Sequence, residues 1–472
     1  MTLPDLSIII GYIITIFILG FKNSKKIKNT GNASEFLLGG RQLTLPAFVA
    51  TLVTTWYGGI LGVGEFSYRF GISNWLVFGV PYYFSALIFA FVIAQKAQQQ
   101  TLYTIPQQLE RVYGRRASLF GALFVFIYAT PAPYLLMLGI VIQYFFHIPL
   151  VLSIIIGAIF STCYVYSGGF RSVVRTDIVQ FLFMYAGFII ILLYCTKQFG
   201  GWQFLRQHLP AGHFSWHGGQ GAGYIIMWFF ISLSTLTEPA FYQRCFAAQT
   251  PQIARRGIII SVLFWLAFDF MTTFTGLYAR ALLPNLANPV TGYLDLAQLV
   301  LPPIVLGLFF TGLIATIMST VDSYMFIAGI TIGRDCLWRL RNNKDEGLIP
   351  YYTRIGLLAA AITGIIIAVY GQSVVNIWKE LGSISTPALL VPVVSSFSSK
   401  WQMDRRLVTV TICSGAAVSF LWSLTRYLQA CQNHYFLHLE PIYPGLLVTI
   451  TMYLFDKLFI SGKHKVKTNT GS

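Results

Sequence analysis

The chain has 472 residues, of which 56% are hydrophobic and only 10% are charged. This composition excludes an ordinary soluble domain, because apolar segments of about 18 to 25 residues recur throughout, each long enough to cross a bilayer as a helix. The formal net charge of +16 is typical of nucleic-acid binding, but Lys and Arg lie in short loops between apolar segments, where the positive-inside rule accounts for them. We therefore predict an integral membrane protein, in contact with lipid and not with nucleic acid.

The apolar segments predict an all-α fold of about thirteen transmembrane helices. Their expected bounds are roughly α1 5–21, α2 44–68, α3 74–94, α4 117–143, α5 149–167, α6 170–196, α7 223–246, α8 257–282, α9 300–332, α10 352–370, α11 376–397, α12 407–427 and α13 442–460. Basic residues fall in alternate loops, which predicts an N-terminus outside and a C-terminus in the cytoplasm, in the inner membrane. Those basic residues are Lys22, Lys25, Lys26, Lys28, Arg111, Arg115, Arg116, Arg171, Arg175, Arg255, Arg256, Arg334, Arg339, Arg341, Lys344, Lys400, Arg405, Arg406, Lys463, Lys465 and Lys467.

Two of these helices are expected to be interrupted. In α2, threonines and the glycines Gly58, Gly59 and Gly62 crowd one spanning segment. Glycine destabilises a helix by about 1 kcal/mol relative to alanine, and an unwound turn frees carbonyl groups that can coordinate a cation. In α7, hydroxyl residues and Glu238 precede Pro239, which removes a backbone hydrogen bond.

The two interrupted helices each open a group of five. Five helices per group is an odd number, so the groups would lie in opposite orientation, as in the inverted repeats of secondary transporters. This predicts a single domain over 1–472, with a first repeat at 44–196, a second at 223–397, and accessory helices with a short cytoplasmic tail at 398–472.

A row of hydroxyl groups lies within α9. Thr316, Ser319, Thr320 and Ser323 are spaced i, i+3, i+4 and i+7, so they share one helix face, with Asp322 beside them. These groups are costly at membrane depth unless they face a bundle interior or a bound ion, and oxygen ligands suit a hard ion such as Na⁺. Alternatively, the hydroxyls bond to i−4 carbonyls or across helices, as membrane Ser and Thr often do.

Four motifs occur in order along the chain, and together they resemble the sodium:solute symporter family. They are the segments 36–41 (FLLGGR), 167–180 (SGG to DIVQ), 243–248 (QRCFAA) and 318–335 (MSTVDS to RD). The resemblance implies a LeuT-like core, with α2–α6 and α7–α11 as its repeats. It also implies one Na⁺ between α2 and α9, bound by the hydroxyls of Ser319 and Thr320 and by the carbonyls of Thr316, Leu52 and Thr55.

The resemblance further suggests a second cation site at Asp177, Asp322 and Ser323. Two alternatives remain open: Asp177 is a charge near a helix start, favoured by the helix dipole, or Asp322 replaces the second ion with proton coupling. Arg244 is expected to anchor the cytoplasmic end of α7.

The substrate is expected at mid-membrane beside the two interruptions. Its predicted contacts are Trp56, Tyr57, Gly59, Trp228, Thr235 and Glu238. Because Glu65, Glu238 and Asp269 are acids in or near spanning segments, a cationic or zwitterionic, amino acid-like solute is favoured.

We therefore predict a sodium-coupled symporter that imports a small organic solute by alternating access and works as a monomer. Na⁺ is the only metal ion expected, and no organic cofactor is implied. An enzyme is disfavoured because no nucleophile–base pair or phosphate-binding loop occurs in the sequence. A membrane sensor of the same fold and a proton-coupled symporter are the alternatives.

Overall fold

The computed structural model describes residues 1–22, 32–341, 345–371, 373–428 and 434–460. Lys25, Lys26, Lys28 and Lys344 of the expected cytoplasmic loops, and the tail after residue 460, lie outside the described residues. Within the described ranges the fold is helical, and the only β pairing is an isolated bridge between Leu43 and Ala248.

The thirteen helices predicted from the apolar segments are present, which confirms the all-α membrane class. Their bounds are α1 Leu3–Phe21, α2 Leu45–Trp56 with Ile60–Phe70, α3 Val80–Val92, α4 Arg115–Tyr128 with Ala132–Phe146, α5 and α6 together Leu150–Phe199, α7 Ala222–Ser232 with Pro239–Ala247, α8 Pro251–Leu282, α9 Val305–Ile330, α10 Ile349–Tyr370, α11 Val374–Ser396, α12 Arg405–Leu424 and α13 Ile442–Phe455. Short helices at Ala33–Leu38, Ile105–Tyr113, Trp202–His208 and Gly292–Val300 lie in the connections.

Eleven segments of the described chain are long and apolar enough to cross a membrane. One of them is the 50-residue segment Leu150–Phe199, which contains both α5 and α6. It turns at Gly169, whose φ of 58° lies in the left-handed region that favours glycine. A Cβ atom at this position would also lie 2.5 Å from the Phe36 carbonyl oxygen. α11 is a further helix of 23 residues and contains Pro387 and Pro392.

Both predicted interruptions are present. A 3₁₀ turn at Tyr57–Gly59 divides α2, and a 3₁₀ segment at Leu233–Thr237 divides α7 before Pro239. The two interruptions meet in the bundle interior, because the ring of Trp56 in α2 packs against that of Phe241 in α7 with centroids 5.4 Å apart.

α9 lies at the centre of the bundle. Every residue from Phe309 to Ile330 is buried, so the helix contacts other helices all round. Its first turn is capped from α1, where one Asp5 carboxylate oxygen accepts the N–H groups of Ile304 at 2.9 Å and Gly307 at 3.1 Å. This cap fixes the position of α9 along its own axis, with its hydroxyl row beside the interruption of α2.

Candidate ion and substrate sites

The hydroxyl face of α9 contacts the backbone of α2 just before its interruption. The Ser319 hydroxyl donates to the Thr54 carbonyl at 2.9 Å, and the Thr320 hydroxyl donates to the Thr55 carbonyl at 2.9 Å. The Thr316 carbonyl also lies in this cluster, 3.1 Å from the Ser319 hydroxyl oxygen. The α2 helix ends at Trp56, and the Thr54 carbonyl also accepts the Tyr57 N–H group that caps this end.

Four residues of the set that the family resemblance implies come together: Thr316, Ser319, Thr320 and Thr55. The Ser319 and Thr320 hydroxyls also contact the Thr54 carbonyl, which was not in that set. Leu52 is not a hydrogen-bond partner of these hydroxyls in the described structure, and its carbonyl as an ion ligand stays a prediction.

A second polar cluster surrounds Arg244, whose side chain is completely buried. Its guanidinium Nη2 lies 3.7 Å from Asp177 and donates to the hydroxyls of Ser323 at 2.7 Å, Thr55 at 2.8 Å and Thr51 at 3.0 Å. Arg244 lies in the last turn of α7, the end that it was expected to anchor, and its side chain is buried among α2, α6 and α9. A fixed cation therefore already contacts two of the three residues predicted for a second cation.

Asp177 is not a charge at a helix start. It is completely buried, well past the turn of the chain at Gly169, and its carboxylate accepts a hydrogen bond from the Thr51 hydroxyl. Since Arg244 and the Thr51 hydroxyl both face this carboxylate, Asp177 links α6 to α2 and α7.

Asp322 belongs to a separate contact. Its carboxylate accepts the Tyr164 hydroxyl of α5, and the side chains of Ser161 and Gln180 lie beside it. Adjacent residues of a helix point about 100° apart, so Asp322 and Ser323 face different neighbours. The structure therefore divides the three residues predicted for the second site between two clusters.

A cavity of about 140 Å³ lies between the two interruptions. Five of the six predicted substrate contacts line it, namely Trp56, Tyr57, Gly59, Trp228 and Glu238, and Thr235 is not among its lining residues. Asp269 of α8 also lines the cavity, and its carboxylate accepts the Tyr83 hydroxyl. Glu65 lies apart from it and pairs with Arg69 at 3.0 Å.

Sequence reasoning missed three contributors to these sites: Thr51, Thr54 and Tyr164. The first two could have been found, since Thr51, Thr54 and Thr55 repeat on α2 the i, i+3, i+4 spacing of the hydroxyl row. Tyr164 had no such signal, because one tyrosine in an apolar helix is ordinary.

Two helices interrupted at mid-length, a cavity between them and a cluster of oxygen atoms beside one interruption are features of an ion-coupled secondary transporter. The chain matches the model of the sodium:solute symporter family over residues 36–403. It belongs to that family, which confirms the resemblance drawn from the four motifs. The protein is accordingly a Na⁺-coupled solute symporter.

Similar proteins agree with this assignment along nearly the whole chain. The sodium/pantothenate symporter of Escherichia coli (strain K12) is 22% identical over 477 residues, covering 96% of this chain and 95% of that protein. The sodium/proline symporter of Staphylococcus aureus (strain JH9) is 24% identical over 490 residues, covering 95% of this chain and 91% of that protein.

Solved structures show the same fold. A Na⁺-coupled sialic acid symporter in a substrate-bound outward-open state superposes with a TM-score of 0.74 at 14% identity, covering 97% of both chains. Mhp1, a nucleobase-cation-symport-1 family transporter in a closed conformation, gives a TM-score of 0.61 at 12% identity, covering 91% of this chain and 95% of that chain. The chain therefore has the LeuT-like fold predicted from its sequence.

Proposed function

We propose that the protein imports a small organic solute together with one Na⁺ bound between α2 and α9, by alternating access. The observation that carries this proposal is the contact of the Ser319 and Thr320 hydroxyls with the carbonyls of Thr54 and Thr55. With the Thr316 carbonyl, this contact gathers five oxygen atoms where α2 is about to unwind, and hard oxygen ligands match Na⁺. If these hydroxyls served only to join α9 to α2 by hydrogen bonds, α2 would not need to be interrupted beside them.

The ion site is tested by replacing its two hydroxyls. Ser319→Ala combined with Thr320→Ala removes two ligands and leaves the backbone carbonyls, so the Na⁺ concentration for half-maximal solute uptake should rise about tenfold or more, a loss of about 1.4 kcal/mol. Uptake is measured in proteoliposomes at a series of Na⁺ concentrations. Thr311→Ala is the matched control, because its hydroxyl donates to Gly307 within α9. An unchanged Na⁺ dependence in the double variant would remove this site.

We infer that Arg244 takes the place of a second coupling ion. Its guanidinium contacts both Asp177 and Ser323, and it is completely buried with them. A second Na⁺ at the same carboxylate would face the positive charge of Arg244 in a medium of low dielectric constant, where like charges repel strongly.

This inference predicts a transport ratio of one Na⁺ per solute. The ratio is measured from the membrane potential at which net solute flux reverses, at fixed gradients of Na⁺ and solute. A ratio of two would show that a second ion binds despite Arg244.

One polypeptide supplies every residue of both proposed sites, which supports a transporter that works as a monomer.

The basic loops support insertion in the inner membrane with the N-terminus outside. Cysteine labelling from outside intact cells tests this orientation. A reporter cysteine in the 201–221 connection should react with an impermeant thiol reagent, and one in the 94–104 connection should not.

A further inference from the structure

The central cavity is lined by two buried carboxyl groups that have no ion-pair partner in the described structure. Glu238 and Asp269 both line it and are almost completely buried, and neither forms an ion pair with a Lys, Arg or His of the described chain. Lys379 also lines the cavity, but its ammonium group is paired with Glu440 at 2.7 Å. Arg244, farther along α7, is engaged by Asp177 and three hydroxyls. Two buried carboxyl groups without an ion-pair partner favour a positively charged ligand in this cavity.

Glu238 also fills the position that would otherwise receive an anion. The second half of α7 begins at Pro239, and a Glu238 carboxylate oxygen accepts the Ala240 N–H group at 3.2 Å. The N-terminal end of a half-helix inside a transporter attracts negative groups of a substrate because of its free N–H groups and dipole. Here the protein places its own carboxylate on that end, so a carboxylate of the substrate would meet a like charge.

The rest of the cavity suits an apolar cation. Nine of its twenty lining residues are aromatic: Trp56, Tyr57, Phe78, Tyr82, Tyr128, Tyr134, Trp228, Tyr324 and Trp378. Aromatic faces attract organic cations and pack against their carbon atoms, whereas they provide no oxygen ligands for a bare metal ion. The hydroxyl-bearing rings of Tyr128 and Tyr324 lie beside the Glu238 carboxyl group.

We propose that the solute is a small organic cation without a carboxylate, an amine or a quaternary ammonium compound, whose charged nitrogen binds at Glu238. This inference rests on the proposed function, since it names the solute that Na⁺ accompanies. It separates this chain from relatives named for proline and pantothenate, both of which are carboxylic acids.

Matched pairs of compounds test the proposal without any mutation. Each pair has one organic cation and a related compound that carries a carboxylate: pyrrolidine and proline, phenethylamine and phenylalanine, choline and glycine betaine. Binding to the purified protein is followed by the fluorescence of the cavity tryptophans, in NaCl and in KCl. The cationic member of at least one pair should bind saturably in NaCl, at least about tenfold more tightly than its carboxylated partner.

The variant Glu238→Gln keeps the shape and removes the charge. It should weaken binding of the cation about thirtyfold or more, because one partner of a buried charge pair is lost. Glu65→Gln is the matched control, since Glu65 pairs with Arg69 and does not line the cavity. Unfolding of Glu238→Gln, checked by size-exclusion chromatography, would leave the compound pairs as the deciding measurement.

The binding measurements distinguish an error in the solute class from an error in the assignment of Na⁺ coupling. Tighter binding of the carboxylated members in NaCl would overturn the organic-cation proposal and leave Na⁺ coupling intact. Cation binding that is equal in NaCl and KCl would support the solute class and contradict coupling at the α2–α9 site.

Discussion

Arg244 and Asp177 are both completely buried. Hydroxyl groups form most of their hydrogen bonds, while Arg244 Nε and Asp177 Oδ1 have no hydrogen-bond partner in the described structure. Thr51, Thr55 and Ser323 bring oxygen atoms from α2 and α9 to the guanidinium, while Asp177 brings its charge from α6. Burying two charges costs several kcal/mol each, and here the cost is offset by the opposite charge and by the hydrogen bonds that do form. The Arg244 guanidinium therefore joins α7 to α6 through Asp177 and to α2 and α9, the two helices of the proposed ion site, through hydroxyl groups.

Removing one charge of the Arg244–Asp177 pair should lower the stability of the protein more than removing both charges. Arg244→Gln leaves Asp177 buried without its counter-charge, and we expect a loss of stability of about 3 to 5 kcal/mol. Arg244→Gln combined with Asp177→Asn leaves two neutral amides among hydroxyl partners and should recover most of that loss. The measurement is the thermal unfolding midpoint of each purified variant. A double variant no more stable than Arg244→Gln would contradict the pairing.

The close approach of α2 to α9 determines whether the proposed ion site can form. A Cβ atom on Gly58 would lie 2.2 Å from the Cβ of Thr320, so only glycine allows the two backbones to come this close. Gly62, one turn farther along α2, has its nearest neighbour at 3.4 Å, the edge of ordinary contact.

Substitution by alanine should have opposite effects on stability at Gly58 and Gly62. Gly58→Ala should push α2 away from Thr320, cost about 1 to 3 kcal/mol as overpacking, and raise the Na⁺ concentration needed for uptake. Gly62→Ala should be nearly neutral or slightly stabilising, by about 0.4 to 1 kcal/mol, since it restricts the unfolded chain. Both variants are compared by Na⁺-dependent uptake and by thermal unfolding. Equal Na⁺ dependence in the two variants would show that this close approach does not shape the ion site.

The helix set and both interruptions could be predicted because each depends on local sequence. Glycines at 58 and 59 and the proline at 239 mark where helices α2 and α7 break, and apolar length marks the spans. The environment of Arg244 and the choice of the Thr54 carbonyl could not be predicted, since both depend on how helices distant in sequence rotate against one another. The same holds for Asp322, whose neighbour Tyr164 lies 158 positions away in the chain.

For the molecule as a whole, exchange of solute requires that the central cavity open to one side at a time. Trp378 of α11 lines that cavity and lies against Gly59, where a Cβ atom would be 1.8 Å from the indole ring. Beyond it, a wider cavity of about 970 Å³ is lined by Gly62, Val374 and Met1. Under the proposed orientation this wider cavity faces outside, so movement of the start of α11 would join the two spaces.

The start of α11 is tied to the α12–α13 connection by two ion pairs. Lys379 pairs with Glu440 at 2.7 Å, and Glu380 pairs with Arg426 at 2.7 Å. All four side chains are partly exposed, so each pair contributes at most about 1 kcal/mol. Because these residues directly follow Trp378, both pairs should favour the state in which the central cavity is closed to the outside.

Neutralising the two acids should therefore increase outward opening. Glu380→Gln combined with Glu440→Gln removes up to about 2 kcal/mol of restraint, enough to raise the open population several-fold when that state is minor. The population is measured in intact cells as the labelling rate of a cysteine placed at Ser234, which lines the cavity, by an impermeant thiol reagent in a background without native cysteines. Glu35→Gln, which breaks the pair with Arg171 elsewhere in the protein, should not increase the rate. An unchanged rate in the double variant would mean that the α12–α13 connection does not restrain α11, and that the outer barrier at Trp378 is set within the ten-helix core.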